Sequence, residues 1–201
     1  MSDRDIDQQL VERAQQGDQR AFGLLVDKYQ RKLARLLTRL VKDSAELEDI
    51  VQETFIKAYR ALPSFRGESA FYTWLYRIGI NTAKNHLMAH NKRRAISMEV
   101  LTNDDDEPME LGEQIPDLNT PETEMMSRQI VEVVNQVVEQ LAPDLRTAIT
   151  LREMDGLSYE EIAEAMDCPI GTVRSRIFRA REAISVQLKP LLEQVGDGKR
   201  W

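Results

Sequence analysis

The chain has 201 residues, of which 42% are hydrophobic and 30% are charged, and its formal net charge at pH 7 is −7. Its unbroken apolar stretches, such as Leu24–Val26, are far shorter than the ~20 residues that a membrane-spanning helix needs. The opening MSDRDIDQQL lacks the basic and apolar segments of an export signal, so we expect a cytoplasmic location. The single cysteine, Cys168, cannot form an internal disulfide, which fits a reducing compartment.

Charge is distributed unevenly along the chain. Residues 1–94 contain 17 Lys and Arg against 12 Asp and Glu, residues 95–127 contain none against 10, and residues 128–201 contain 10 against 12. The two flanking blocks are long enough for small domains, whereas like charges in the middle block repel one another. The sequence therefore predicts two domains, residues 1–94 and residues 128–201, joined by an acidic linker over residues 95–127.

The first block has the periodicity of helices. DQRAFGLLVDKYQRKLARLLTRLV (residues 18–41) and AELEDIVQETFIKAYRALPSF (residues 45–65) repeat apolar residues at intervals of three and four, as amphipathic helices do. Runs of alternating strand residues bounded by turn residues do not occur in either flanking block. We therefore expect an all-α fold of two small helical domains.

The segment SFRGESAFYTWLYRIGINTAKNHL (residues 64–87) contains five of the 12 aromatic residues of the chain (5 Phe, 2 Trp and 5 Tyr). If a helix begins near Ser69, one face is apolar and is predicted to be core: Phe71, Trp74, Leu75 and Ile78. A second face is polar and basic: Thr73, Arg77, Asn81, Lys84 and Asn85. Phe65 and Arg66 lie in a glycine-containing loop beside that face. Such aromatic and amide groups suit unstacked bases, which suggests contact with single-stranded nucleic acid.

The acidic middle block contains Pro108, Pro116 and Pro121 and has no sustained helical or strand period. Like charges and few large apolar groups make it a poor core former, so an extended linker is predicted. Its DDDE run (residues 104–107) lacks the alternating ligands and the turning glycine of a calcium loop. His86 and His90 lack a third metal ligand nearby in the sequence, so neither a metal site nor a cofactor is predicted.

The second block begins with the helical pattern IVEVVNQVVEQL (residues 130–141), and Pro143 and Gly156 bound the next helix. GLSYEEIAEAMDCPIGTVRSRIFRAREAI (residues 156–184) then has the pattern of a helix-turn-helix. Ser158 and Glu161 predict a capping box on its first helix. Thr172 is predicted to be the N-terminal cap of its second helix.

The strip CPIGTVRSRIFRAR (residues 168–181) contains four arginines and no acidic residue. At about 100° per residue, the buried side of its helix consists of Val173, Ile177, Ala180 and Ile184. The opposite side consists of Arg174, Ser175, Phe178 and Arg179. Arg176 and Arg181 fall on the flanks and suit phosphate contact or internal pairing.

An ordinary solvated helix is the alternative, but it leaves Phe178 exposed without a reason. In the major groove of duplex DNA, arginines can bind guanine edges and phosphates, and an apolar group can contact thymine methyls. The composition of this face therefore favours duplex DNA binding.

Three motifs carry a family resemblance: DIVQETFIKAYRAL (residues 49–62), SFRGESAFYTWLYRIGINTAKNHL (residues 64–87) and LREMDGLSYEEIAEAMDCPIGTVRSRIFRAREAI (residues 151–184). Together they resemble the extracytoplasmic-function (ECF) sigma factors of bacterial RNA polymerase, of the sigma-E type. The resemblance implies that residues 1–94 are sigma region 2 and that residues 128–201 are sigma region 4. It also implies transcription initiation at genes of the envelope or extracytoplasmic stress response.

The resemblance further implies which residues act. Contacts with the β′ clamp helices of core polymerase carry over to Asp49, Gln52, Glu53 and Phe55. Opening of the minus-10 element and capture of a flipped base carry over to Phe65, Arg66, Arg77, Asn81, Lys84 and Asn85. Recognition of the minus-35 element carries over to Thr172, Arg174, Ser175, Phe178 and Arg179.

The partners that the resemblance implies are core RNA polymerase, including its β flap, promoter DNA, and an anti-sigma factor that is often membrane-anchored in this type. The free chain is expected to be a monomer. A stand-alone helix-turn-helix repressor or activator is the alternative, although the sequence has no evident ligand domain. An enzyme is not favoured, because a Gly-rich phosphate loop, an H-E-x-x-H motif and a cysteine cluster are all missing from the sequence.

Overall fold

The computed structural model describes residues 3–97 and 121–197. Its helices are α1 (Asp3–Gln15), α2 (Gln19–Thr38), α3 (Ser44–Ala61), α4 (Phe71–Ser97), α5 (Pro121–Gln140), α6 (Pro143–Glu153), α7 (Tyr159–Ala165) and α8 (Ile170–Asp197), with a 3-10 turn at Leu62–Ser64 after α3. No strand occurs in these two ranges, which confirms the all-α prediction. Among the same residues, no helix combines the length and apolarity that a membrane span requires.

Helices cover both ends of the segment predicted to be an extended linker. α4 continues to Ser97, and α5 begins at Pro121. The predicted boundaries at residues 94 and 128 therefore fall inside helices. The DDDE run and the rest of the predicted linker, residues 98–120, lie outside the described residues.

The first domain is built around the buried side of α2. That side consists of Ala21, Leu25, Tyr29, Leu33, Leu36 and Leu37. Intervals of three and four residues place these side chains on one stripe, which the neighbouring helices cover. Asp18 caps α2 by accepting hydrogen bonds from the backbone N–H of Arg20 (3.0 Å) and Ala21 (3.2 Å). Asp43 caps α3 in the same way. Both caps satisfy N–H groups that the helix leaves unpaired, which defines where each helix begins.

α4 approaches α2 and α3 closely at Gly79. A Cβ atom at this position would lie 2.8 Å from Cδ1 of Leu33 and 3.5 Å from Cγ2 of Thr54. Both neighbours are fully buried, so they have little room to move aside. The missing side chain of Gly79 thus allows Leu75 and Ile80 of α4 to reach the core, where both are completely buried.

The second domain contains the predicted helix-turn-helix. The capping box is confirmed, since Oγ of Ser158 accepts from the N–H of Glu161 (3.2 Å) and Oε2 of Glu161 accepts from the N–H of Ser158 (2.8 Å). The predicted cap by Thr172 is wrong. α8 begins at Ile170, and the N–H of Thr172 donates to the carbonyl of Pro169 (2.9 Å). Pro169 suits the start of a helix, where its missing N–H costs nothing, so Thr172 lies inside the first turn.

The two domains contact each other. α7 packs on α4, and α6 packs on α2. The guanidinium of Arg146, on α6, donates to the carbonyl oxygens of Arg39 (2.8 Å), Leu141 (3.0 Å) and Glu139. These carbonyls lie at the C-terminal ends of α2 and α5, where unpaired carbonyls and the negative end of the helix dipole favour a cation. Arg146 therefore joins the second domain to the first.

Candidate polymerase and nucleic-acid interfaces

A groove of about 1160 Å³ runs between α2 and α3. Its lining residues include Phe22, Val26, Leu47, Val51, Ile56 and Tyr59, together with Asp49, Gln52 and Phe55. The rings of Phe22 and Tyr59 meet edge to face with centroids 4.9 Å apart. Ile56 and Tyr59 are 45% and 43% exposed, so the groove presents neighbouring apolar side chains to solvent. The groove is thus an apolar surface with polar groups along its rim.

The groove brings together three of the four residues predicted to contact polymerase. Asp49 and Gln52 are exposed, whereas Phe55 is buried at the base. Glu53 does not line the groove. Its carboxylate accepts from Nζ of Lys57 (2.9 Å) and pairs with Nε2 of His86 on α4 (2.6 Å). Hydrogen bonds from Lys57 and His86 lower the pKa of Glu53 below its ordinary value. Glu53 therefore ties α3 to α4 in this structure.

The loop before α4 is held by an aromatic cluster. Phe65 packs against the rings of Trp74 (centroids 4.8 Å apart) and Phe71 (6.2 Å), so it is half-buried. The side-chain amide of Gln15 donates to the carbonyl oxygens of Leu62 (2.9 Å) and Phe65 (2.8 Å). These bonds and contacts hold the loop in place. The neighbouring Arg66 side chain is 83% exposed and faces solvent.

The polar face predicted on α4 is mostly accessible. Asn81 and Asn85 are exposed, and Arg77 and Lys84 are half-exposed. Thr73 was predicted on the same face but is fully buried. The adjacent Tyr72 contacts Tyr29 of α2 and Glu161 of α7, so helices of both domains pack on this end of α4. Phe65 rests on Trp74, one helical turn before this face begins at Arg77. The structure therefore aligns the loop and the polar face along one helix.

α8 presents two opposite faces, as its sequence predicts. Val173, Ile177 and Ala180 are buried. On the other side, Arg174, Ser175, Phe178 and Arg179 are exposed, and Thr172 is half-buried in the first turn. Phe178 is 66% exposed, although no packing requires an aromatic ring there. The predicted orientation of the helix is confirmed.

The two flanking arginines of α8 pair inside the domain. Nη2 of Arg176 lies 2.5 Å from Oδ2 of Asp144, and Nη1 lies 3.2 Å from Sγ of Cys168. Nη2 of Arg181 lies 2.6 Å from Oε1 of Glu153. Of the two roles that the sequence left open for these arginines, internal pairing is the one observed. On the first turns of α8, Arg174 and Arg179 are exposed.

Comparison with known proteins accounts for both domains. Residues 25–93 match Sigma-70 region 2, and residues 132–184 match Sigma-70, region 4. The RNA polymerase sigma-H factor of Pseudomonas aeruginosa is 57% identical over 194 residues, which cover 96% of this chain and 100% of that protein. The ECF RNA polymerase sigma-E factor of Escherichia coli (strain K12) is 55% identical over 195 residues, with the same two coverages. The chain belongs to the ECF sigma factors of RNA polymerase.

For this ECF sigma factor, the region 2 match spans most of α2 and continues through α3 into α4, and the region 4 match extends from α5 into α8. The family resemblance stated from the motifs is confirmed. As a sigma factor, the chain is a regulatory subunit of RNA polymerase that recognises promoters and initiates transcription.

Two solved structures are similar in fold to this ECF sigma factor. The sigma factor RpoE in complex with the anti-sigma factor NepR from Bartonella quintana matches with a TM-score of 0.65 and 25% identity, over 84% of this chain and 96% of that chain. CnrH in complex with the cytosolic domain of CnrY matches with a TM-score of 0.64 and 27% identity, over 92% of this chain and 98% of that chain.

Proposed function

We propose that this ECF sigma factor divides promoter recognition among three surfaces. The groove between α2 and α3 binds core polymerase. The Phe65 loop and the polar face of α4 bind the opened minus-10 strand, and the exposed face of α8 binds the minus-35 duplex. Residues 1–94 and 128–201 are the two functional units, as the charge pattern predicts.

The polymerase surface is supported by the exposed apolar side chains of the groove. A helix of the polymerase clamp can lay an apolar face against Phe22, Ile56 and Tyr59, since grooves between two helices accept amphipathic helices in this way. Asp49 and Gln52 lie on the rim, where they can fix the orientation of such a helix by hydrogen bonds. Phe55 supports the base from inside, and Glu53 acts indirectly by positioning α3 on α4.

The minus-10 surface is supported by accessible amides beside an aromatic cluster. Asn81 and Asn85 are exposed on consecutive turns of α4, where each amide can donate to and accept from a base edge. Arg66, Arg77 and Lys84 supply positive charge for the phosphates of a single strand. Phe65 already packs on Trp74, so stacking of a base there would extend an existing aromatic pair.

The minus-35 surface rests on a single observation, the exposure of Phe178 between Arg174 and Arg179. These residues lie on α8, the second helix of the helix-turn-helix. A ring that is 66% exposed contributes little to the core of the free chain. In the major groove it can contact thymine methyl groups, while the two arginines reach guanine edges or phosphates. Thr172 and Ser175 lie on the first turns of the same helix, within reach of the phosphate backbone.

Regulation by a protein partner is part of the proposal. RpoE of Bartonella quintana was solved with the anti-sigma factor NepR, and CnrH was solved with the cytosolic domain of CnrY. We propose that an anti-sigma partner, anchored in the membrane, covers the groove of this chain. The chain works in the cytoplasm as a polymerase subunit and has no catalytic role of its own. It serves genes of the extracytoplasmic stress response.

The minus-35 assignment is tested with Arg174→Ala and Arg179→Ala, and Arg181→Ala is the matched control because its arginine pairs with Glu153. Transcription is measured with core polymerase on a promoter and on variants of its minus-35 element. We expect each of the first two variants to lose ~1–3 kcal/mol of discrimination and the control to lose none. Equal losses on every promoter sequence would reassign the two arginines to phosphate contact.

The other two surfaces are tested against each other. Asn81→Ala should impair open-complex formation on duplex promoters and leave the affinity for core polymerase unchanged. The double variant Asp49→Ala with Gln52→Ala should weaken binding to core polymerase, while Asp27→Ala, an exposed acid of α2 outside the groove, should not. If Asn81→Ala forms open complexes normally, the proposed role of the α4 face is wrong.

A further inference from the structure

The loop that precedes α4 is bound by one side chain of α1. The amide nitrogen of Gln15 donates to the carbonyl oxygens of Leu62 (2.9 Å) and Phe65 (2.8 Å). A glutamine amide has two N–H donors, so one side chain can serve both acceptors. Both partners are carbonyls, which only accept, so the nitrogen end of the amide faces the loop. The contact joins parts of the chain that are 47 and 50 residues apart.

The position of Gln15 is itself fixed by the end of α1. The N–H of Asp18 donates to the carbonyl of Arg13 (3.0 Å). The N–H of Gly17 donates to that of Ala14 (3.0 Å), and the two bonds together form a Schellman motif. Gly17 has φ +95°, the left-handed conformation that this motif requires. Nη2 of Arg13 also pairs with Oδ2 of Asp18 (2.6 Å). The last turn of α1, which carries Gln15, is therefore closed by backbone and side-chain bonds.

α1 is also anchored on α2 toward its other end. Asp7 is buried, and its carboxylate accepts from Nζ of Lys28 (2.7 Å) and from the hydroxyl of Tyr29. Val11, one turn further along α1, is buried in the core. α1 is thus attached to α2 by a buried carboxylate and by apolar packing. It provides a fixed support for Gln15.

The bond to Phe65 also fixes the direction of the residue that follows. The carbonyl of Phe65 belongs to the planar peptide group that joins Phe65 to Arg66. The side chain of Arg66 is mostly exposed, and its guanidinium lies 4.0 Å from the exposed carboxylate of Glu68, which is a weak contact at such exposure. Packing therefore does little to orient Arg66. Its direction depends on the backbone that Gln15 holds.

The ring of Phe65 is held by a different element from its carbonyl. The ring packs on Phe71 and Trp74 of α4, whereas the carbonyl is bound by α1. The loop is thus tied to two helices through contacts within the chain. A loop that is ordered before binding avoids a loss of conformational entropy when its ligand binds. We infer that Gln15 is a positioning residue for base capture, because it holds the Phe65 loop in the conformation that accepts a flipped base.

This inference rests on the function proposed above for the Phe65 loop. It adds α1 to that function, although α1 ends before residue 25, where the match to Sigma-70 region 2 begins. In this role Gln15 contacts no base and acts through the backbone of the loop. Its loss should therefore affect the binding of one base and leave the contacts of the rest of the strand intact.

The test uses the full-length chain and the change Gln15→Met, which keeps the side-chain length and removes both donors. The matched control is Gln8→Met, since the amide of Gln8 donates within α1 to Oε1 of Glu12 (3.1 Å). Anisotropy of fluorescein-labelled single-stranded DNA reports binding. The DNA carries the non-template minus-10 segment of a promoter that the chain transcribes with core polymerase. Strands with an abasic site at each position in turn identify the captured base in the wild type.

We expect one abasic site to weaken binding to the wild type about 5-fold or more, because a captured base contributes stacking free energy. Gln15→Met should weaken binding of the intact strand about 3- to 10-fold and leave binding of that abasic strand unchanged. Gln8→Met should behave as the wild type on both strands. A general loss of stability would weaken binding of both strands equally, so the ratio of the two affinities isolates base capture.

A second variant keeps the shape of the side chain. Gln15→Glu turns a carboxylate toward the two carbonyls, so it removes both hydrogen bonds. It carries the same expectation for the ratio of intact to abasic affinity, since its added charge acts on both strands alike. Hydrogen exchange over residues 62–70 should be faster in both Gln15 variants than in Gln8→Met.

Two results would overturn the inference in distinguishable ways. An unchanged affinity ratio in both Gln15 variants, with an abasic-sensitive position present in the wild type, rejects the positioning role and leaves the proposed minus-10 surface intact. If no abasic site weakens binding of the wild type, the Phe65 loop captures no base. The proposed function of the loop then fails together with the role of Gln15.

Discussion

Truncation of two neighbouring residues of α8, Ile177 and Phe178, should have opposite consequences. Ile177 is 1% exposed, and its truncation to alanine removes three carbon atoms from the core. At ~0.8 kcal/mol for each, the loss of transfer free energy is ~2.4 kcal/mol. The cavity left behind adds to this, so we expect region 4 to lose ~3–4 kcal/mol of stability. Phe178 is 66% exposed, and its truncation should cost less than ~1 kcal/mol.

The assay combines urea unfolding of the full-length chain, followed by helical circular dichroism, with hydrogen exchange to locate the change in region 4. Ile177→Ala should lower the unfolding midpoint and speed exchange in α6 and α8. Phe178→Ala should leave both unchanged and weaken binding to minus-35 duplex DNA. A loss of stability in Phe178→Ala as large as that in Ile177→Ala would refute the assignment of the two faces. Unchanged binding to the duplex would refute the role of the ring.

Three further predictions concern the packing and caps of the fold. Arg146→Met should destabilise the chain by ~1–3 kcal/mol, because it leaves helix-end carbonyls unpaired, and an unchanged urea midpoint would contradict this role. Gly79→Ala should lower the free energy of unfolding by ~1–3 kcal/mol, because the added methyl group overpacks against Leu33. Gly23→Ala has open space around its Cβ position and should stabilise α2 by up to ~1 kcal/mol. Equal urea midpoints in the two variants would count against the close approach of α4. The hydrogen bond from Arg13 lowers the pKa of Asp18, so the ionised carboxylate adds stability to the folded chain. That stability is fully present above the ordinary pKa of 3.8, and it is lost as the pH falls through the lowered pKa. Asp18→Asn keeps the cap acceptor and should therefore lose less stability in acid than the wild type, as followed by thermal melts across that pH range.

Local patterns predicted the parts of the site that depend on one helix. The two faces of α8 follow from helical periodicity, and the capping box of Ser158 and Glu161 depends on residues three apart. The predicted cap by Thr172 failed because Pro169 offered an earlier start to the same helix, so two local rules competed. The family resemblance grouped Glu53 with Asp49 as a polymerase contact, but its partner His86 is 33 residues away in the chain. No local pattern specifies such a pairing.

The sequence by itself determined the all-α class and the exposed face of α8, because periodicity and capping act over a few turns of one helix. The two sigma regions followed from the resemblance that its three motifs carry. Only the tertiary structure decided that Thr73 is buried, that Glu53 turns toward α4, and that Glu161 serves both its own helix cap and Tyr72 of the other domain. These outcomes depend on which surfaces meet when α3 and α7 pack on α4. The groups that meet there are far apart in the chain, so local sequence patterns do not specify their contacts.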